Sequence, residues 1–329
     1  MTTLVTGCAG FIGSNVCRML TDSGETVVGV DNMNDAYDVR LKHWRMGELE
    51  SRPNFHYYHR DLSDLGSMKS LFVKYAAESN PPFASVISMG ARAGVRPSVE
   101  NPWVYYEANT LGTLNLLELC KDFGVKKFVL SSTSSAYGDN TPMPFKEDAN
   151  TSNPLSPYAA SKKAAETMVF TYHHLHDIDA TVLRYFTVYG PAGRPDMSIF
   201  IFVRAIAEGL PFTVFGDGQQ SRDFTFVEDI ARGTIAATRP VGYEIVNLGN
   251  DKPAVLMDVI NMIEDMLEKK ANIGHKPMHK ADVRATWANI DKARDILGWA
   301  PQVPLEDGLK RTVDWYMKNQ DWAKDIIVG

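Results

Sequence analysis

Tyr158 and Lys162 stand at i and i+4 in the run Tyr158-Ala159-Ala160-Ser161-Lys162. On a helix that spacing puts the two side chains side by side on one face. A lysine charge beside a phenol favours ionisation of a group whose unperturbed pKa is about 10. A phenolate near neutral pH can take the proton of an alcohol while hydride leaves the same carbon. Upstream, the run Ser131-Ser132-Thr133-Ser134-Ser135 offers short hydroxyl donors for the same substrate. A lone Tyr-x-x-x-Lys pair occurs often on exposed helices. It carries weight here because a glycine pattern and a hydroxyl-rich strand end precede it.

That glycine pattern is Thr6-Gly7-Cys8-Ala9-Gly10-Phe11-Ile12-Gly13, a G-x-x-G-x-x-G spacing between an apolar strand and a helix. A pyrophosphate approaches a backbone closely only where Cβ is absent, and the helix that follows presents free amides and the positive end of its dipole. The next strand ends in Val28-Gly29-Val30-Asp31. A carboxylate there accepts the hydroxyls of an adenosine ribose and repels a 2′-phosphate, so NAD is expected rather than NADP. The positive nicotinamide would further favour the Tyr158 phenolate. Asp61-Leu62 follows the third strand, where Asp61 either meets the adenine or caps the next helix. His173 and His176 have a spacing that could hold a metal, but histidines in a last helical turn interact with its dipole and no carboxylates accompany them. No metal is expected.

The elements that must carry these residues alternate. Strand-like runs at Thr2 to Thr6, Thr26 to Val30, Asn54 to Tyr58, Ser85 to Met89, Lys127 to Ser132 and Ala180 to Tyr185 are separated by helical patterns. The helical patterns begin at Phe11 and Asp64, cover Val104 to Lys121, and run from Pro157 to His176. This order predicts an α/β fold: a doubly wound parallel Rossmann-type sheet of at least six strands with a smaller C-terminal substrate domain. From Gly190 the elements shorten, with Gly and Pro punctuation. We expect a cofactor domain over 1–187, rejoined by about 226–250, and a substrate domain from 188–225 and 251–329. Phe200 and Phe202 either line the nucleotide pocket or pack in a core. Trp299, Trp315 and Tyr316 are expected in the core.

The chain has 329 residues, 44% hydrophobic and 22% charged, which excludes a disordered chain or a coiled coil. A formal charge of -6 gives no footprint for nucleic acid or an anionic membrane. No apolar run approaches the roughly 18 residues of a membrane helix. The first residues lack the basic and apolar regions of a secretion signal, and Cys8, Cys17 and Cys120 are odd in number without metal spacing. A cytoplasmic protein is expected.

Taken together, these motifs resemble the extended short-chain dehydrogenase/reductase family, within its NAD-dependent nucleotide-sugar epimerases and dehydratases. The resemblance runs over nearly the whole chain. It extends to Asn109, Arg184-Tyr185-Phe186-Thr187-Val188-Tyr189-Gly190-Pro191, Arg194-Pro195-Asp196-Met197 and Ser221-Arg222-Asp223-Phe224. Asp31-Asn32-Met33-Asn34-Asp35 and the stretch Tyr185 to Met197 look like the UDP-glucuronate 4-epimerases of that family. The resemblance implies a cofactor shell of Gly7, Gly10, Phe11, Ile12, Gly13, Asp31, Asn32, Asp61, Leu62, Asn109, Lys162 and Tyr185. It implies that Thr133 bonds the C4 oxygen beside Tyr158, that Lys162 also holds the nicotinamide ribose, and that Arg194 or Arg222 lies near the diphosphate. One departure is Ser88-Met89-Gly90-Ala91, where the family usually has His-Leu-Ala-Ala; the cofactor contacts of that loop are left open.

Oxidation at C4 starts several reactions in this family, so the residues acting on the 4-keto sugar discriminate among them. Dehydratases place Asp-Glu directly after the catalytic Thr, and the decarboxylases carry an acidic residue in that segment. Ser134-Ser135 stand there instead, and neither has a pKa suited to removing a carbon-bound proton. A 4-ketouronate is a β-keto acid that loses carbon dioxide fastest when its carboxylate stands perpendicular to the carbonyl plane. Thr133, Ser134, Ser135 and Thr187 could grip the carboxylate away from that geometry. Galactose-type relatives usually carry Asn where Thr187 stands. The expectation is 4-epimerisation of a UDP-sugar, UDP-glucuronate first, with a neutral UDP-sugar 4-epimerase, a decarboxylase, or a silent NAD-binding regulator as the rivals. The family also implies a homodimer through the helices near Leu111 to Cys120 and Pro157 to His176. The apolar spacing of Leu111, Leu114 and Leu117 fits this, as it fits packing on the sheet.

Overall fold

A computed structural model describes residues 2–278 and 280–328. Seven strands form its central sheet: β1 (Thr2–Thr6), β2 (Thr26–Asp31), β3 (Phe55–His59), β4 (Ser85–Ser88), β5 (Lys127–Thr133), β6 (Asp179–Tyr185) and β7 (Tyr243–Leu248). Their order is β7-β6-β5-β4-β1-β2-β3, with every pair parallel. Consecutive residues feed opposite faces, as the two-residue strand period requires. Val5, Ile87, Val129 and Leu183 enter one core, and their neighbours Leu4, Val86, Phe128 and Val182 enter the other. Helices α1 (Phe11–Asp22) and α6 (Val227–Ala236) cover the first face. The second is covered by α3 (Leu65–Ala76), α4 (Gly112–Asp122) and α5 (Pro157–His176). Helix α2 (Arg40–Glu50) adds Met46 and Leu49 to the first. A fully buried side chain of this size contributes about 1.5–3 kcal/mol, so the two cores anchor every strand whose end meets the site.

Strand order reverses between β4 and β1, and ligands bind where such a crevice opens at the carboxyl ends of the strands. A third core joins residues of 189–226, 254–273 and 305–323. It rests on three two-stranded ribbons: Thr187–Tyr189 with Phe224–Phe226, Ser221–Arg222 with Ala254–Val255, and Pro211–Phe215 with Asn272–Lys276. Phe202 sits in that core, while Phe200 packs with Leu41, Ala192 and Ile326 and does not line the large crevice. Trp299 and Tyr316 are buried. His173 bonds the Ile178 carbonyl at the end of α5, and His174 stacks on Phe170.

Helix α5 carries Tyr158 and Lys162, and its sequence fixes both ends. Ser156 accepts the Ala159 amide as N-cap, Pro157 occupies the first turn, and Asp177 closes the helix in the left-handed region. Glu166 on the same helix accepts Arg184 from β6 at 2.9 and 2.8 Å and the Ser132 hydroxyl at 2.6 Å. These buried bonds set the height of α5 above β5. The helix expected over Val104 to Lys121 is not continuous. A short turn at Trp103–Tyr105 passes into a π-helical segment, Tyr106–Leu111, before α4 begins. The wider turn brings Asn109 inward, a pattern frequent near functional sites.

Candidate active site

The crevice is a cavity of about 430 Å³. At one end lies the glycine turn. Gly7 adopts φ +71, and a Cβ on it would fall 2.8 Å from Gly90 N; one on Gly13 would fall 2.1 Å from Gly7 O. Gly7, Gly10, Phe11, Ile12 and Gly13 line the cavity, and no side chain caps the α1 N-terminus. This bare, dipole-positive helix end is a cradle suited to a dinucleotide pyrophosphate. The Ser88-Met89-Gly90-Ala91 departure is accounted for locally. The Met89 and Gly90 amides donate to Thr6 Oγ1 at 3.1 and 3.0 Å, and a Cβ at Gly90 would meet Leu62 Cδ1 at 2.6 Å.

Asp31, Asn32, Asp61 and Leu62 line the wall beyond. Asp61 does not cap α3, since Asp64 accepts the Ser67 amide there. Instead Asp61 accepts the Ser63 amide and hydroxyl and, at 2.7 Å, the Asn32 amide group. Burial pushes its carboxyl up, but these hydrogen bonds outweigh that and hold it below the usual range. Asn109 departs from expectation. It is buried, does not line the cavity, and its amide binds the Arg92 backbone N–H and C=O and the Ser161 hydroxyl at 2.8–2.9 Å. It therefore fixes the loop after β4 against α5. Tyr185 lines the cavity, but its hydroxyl is turned to Thr234 at 2.8 Å.

At the other end Thr133, Ser134, Ser135, Tyr158, Lys162 and Thr187 line one region of the cavity. Burial pushes the Tyr158 phenol above its ordinary value, opposed by a hydrogen bond from Thr133 and by the charge of Arg194. In the protein without cofactor, the charge that opposes the rise is that of Arg194. Lys162 points its ammonium to the Ser131 carbonyl at 2.8 Å. Burial brings its pKa down to about 8, with Glu166 acting in the opposite sense. Arg194 is held by Asp196 at 3.0 and 2.5 Å and by the Ala93 carbonyl. Among the described residues Arg222 donates to the backbone carbonyls of Ser221 and Arg284, and burial lowers its pKa. Both arginines line the cavity.

Among the described lining residues the carboxylates are Asp31, Asp61 and Asp282. None is in the Thr133–Ser135 segment. Sequence reasoning missed Tyr37, Arg60 and the segment Ala281–Thr286, which also line the cavity. The last carries no glycine fingerprint or paired charges; only its ordering beside Arg222 reveals it.

The buried lysine has a consequence for stability. Between its folded pKa of about 8 and the ordinary 10.5, the unfolded chain holds a proton that the folded chain has released. Stability therefore rises with pH through that window. Cofactor-free protein is expected to gain denaturant midpoint from pH 8 to 10.5 relative to Lys162→Met, measured by urea titration. Parallel trends in the two proteins would contradict a desolvated ammonium.

The sequence matches the family model described as GDP-mannose 4,6 dehydratase over residues 4–312. It is 54% identical to a UDP-glucuronate 4-epimerase of Thermodesulfobacterium geofontis over 326 residues, 99% of each chain. The structure is similar to that of UDP-glucuronic acid 4-epimerase from Bacillus cereus in complex with UDP-glucuronic acid and NAD. The TM-score is 0.89 at 36% identity, over 97% of this chain and 100% of that one. It is also similar to UDP-glucose 4-epimerase with UDP-glucose from Thermotoga maritima, with a TM-score of 0.87 at 32% identity and the same coverage. The glycine cradle, the cavity-lining Tyr158 and Lys162 and these likenesses lead to one conclusion: the chain belongs to the extended short-chain dehydrogenase/reductase family of NAD-dependent nucleotide-sugar epimerases and dehydratases.

Proposed function

We propose that the protein interconverts UDP-glucuronate and UDP-galacturonate by inverting C4, with NAD as its cofactor. The observation that carries this is the composition of the reactive end: a phenol and a threonine hydroxyl share one site, backed by a buried lysine, with serines where a dehydratase has carboxylates. The dinucleotide fits the cradle of Gly7, Gly10, Phe11, Ile12 and Gly13, with Asp31 at the adenosine ribose. When bound, NAD accepts a hydride from C4 and returns it.

Tyr158 takes the proton of the C4 hydroxyl, and Thr133 shares that oxygen by a hydrogen bond. Lys162 holds its charge below the phenol and is positioned to bond the nicotinamide ribose. The 4-keto sugar turns about its diphosphate link, and Tyr158 returns the proton when hydride arrives on the other face. Arg194 and Arg222 meet the diphosphate, so the nucleotide stays fixed while the sugar turns. Ser134, Ser135 and Thr187 bond the carboxylate and keep it out of the plane-perpendicular geometry that releases carbon dioxide. Dehydration would need an acid and base at C5 and C6, and the Thr133–Ser135 segment supplies neither.

We place the working form as a homodimer in the cytoplasm, formed through α4, α5 and the π-helical segment. Support comes from the exposed Trp103 in the turn that leads into the π-helical segment, from the exposed Tyr106, Leu111 and Phe170 on these elements, and from three buried, unpaired cysteines. Leu117 turns inward to the sheet core. Light scattering is expected to give twice the chain mass, and Trp103→Glu to shift the population to monomer; a monomeric native protein contradicts this. For the chemistry, Tyr158→Phe is expected to lower turnover by about 10²–10⁴-fold while NAD affinity persists. Substrate deuterated at C4 is expected to yield product that keeps its label. Near-normal turnover of the variant, or loss of label to solvent, would exclude this route.

A further inference from the structure

Asp31 does not reach the cavity as a bare carboxylate. Its Oδ2 accepts the Ala9 amide at 3.2 Å, and its Oδ1 accepts the Met33 amide at 2.8 Å and the Lys42 ammonium at 3.2 Å. Lys42, on α2, is buried; its further polar contact is Asn34 Oδ1 at 3.4 Å, and its Nζ stands 5.7 Å from the Tyr37 ring centre. Met33 adopts φ 49, a left-handed conformation uncommon for such a side chain, within the turn that gives its amide to Asp31. Three donors, one of them a cation, therefore converge at the end of β2. A set of this kind is an anion site, and the chain fills it with its own side chain.

We infer that Lys42 is a specificity-determining residue of the adenosine subsite: it neutralises Asp31 in the native chain and would hold the 2′-phosphate of NADP once that carboxylate is removed. The inference rests on Asp31 facing the adenosine ribose. A phosphate oxygen in place of the carboxylate oxygens could accept the same Ala9, Met33 and Lys42 donors. Asp61, bonded to Asn32 on the same wall, opposes a phosphate, and Arg60 on that wall favours it. Asp31 is thus paired with Lys42, while the Arg60 guanidinium donates to the Ser67 carbonyl and hydroxyl. On this inference, Asp31 excludes a 2′-phosphate by occupying these donors rather than by an unpaired negative charge. This separates the site from a simple acidic strand end, where removing the carboxylate relieves repulsion but gains no cation.

The test is a set of four proteins, native, Asp31→Ser, Lys42→Met and the double variant, titrated with NAD and NADP by calorimetry. Asp31→Ser is expected to weaken NAD about tenfold or more, as a charged hydrogen bond is lost, and to tighten NADP about a hundredfold. The double variant is expected to lose the NADP gain. If NADP tightens equally in the double variant, Lys42 plays no part and the inference falls while the ribose assignment stands. If Asp31→Ser leaves NAD affinity unchanged, the ribose assignment itself fails and takes the inference with it. Because Asp31→Ser strands a buried ammonium, thermal midpoints are read alongside. NADP is expected to raise the midpoint of Asp31→Ser more than NAD does. A chain that stays unfolded in excess NADP, while the double variant folds, overturns the proposal.

Discussion

Burial of Lys162 on the helix that carries Tyr158 is the constraint on which the site depends. In water, both groups would be solvated and free to turn. In the protein, the ammonium is fixed by the Ser131 carbonyl, and the phenol by Thr133 and the field of Arg194. Both anchors belong to the same strand end, β5. Holding that strand against α5 requires the buried Glu166, which joins Ser132 to Arg184. Removing one member of such a buried charge set leaves the others uncompensated at several kcal/mol. The sheet is therefore both the source of the core and the ruler that spaces the proton-transfer groups.

Cofactor chemistry at C4 is common to many reactions, so this placement alone does not choose a product. The choice falls to the groups around the 4-keto sugar. Hydroxyls from Thr133, Ser134, Ser135 and Thr187 present donors without a carbon acid's base, and the cavity's carboxylates lie elsewhere. On the proposed reading, an enzyme built this way would act by restraint, holding a carboxylate still and returning what it removed.

Much of this was legible in the residues because its physics is local. Glycines that leave no room for Cβ, a carboxylate ending β2 and a Tyr–Lys pair one helical turn apart all follow from spacing. The apolar runs likewise mark six of the strands, all but the edge strand β3 buried on both faces. What was not legible depends on distant packing. The partner of Asn109 is a backbone 17 residues away, reached through a π-helical turn that no periodicity announces. The Tyr185 hydroxyl turns to Thr234 because α6 packs under that end of the sheet. The bond from Lys162 to the Ser131 carbonyl is another such case, because the i+4 spacing says which residues are adjacent, not where a long side chain finds its acceptor. The Ala281–Thr286 wall is set by tertiary contacts with Asp223 and Ser221 rather than by any motif of its own.

The most direct test of restrained C4 inversion is an anaerobic incubation of the purified protein with UDP-glucuronate, following the sugar by NMR and carbon dioxide in the same sample. UDP-galacturonate without carbon dioxide is the predicted result. A UDP-pentose with stoichiometric carbon dioxide, or no turnover at all, would contradict the account.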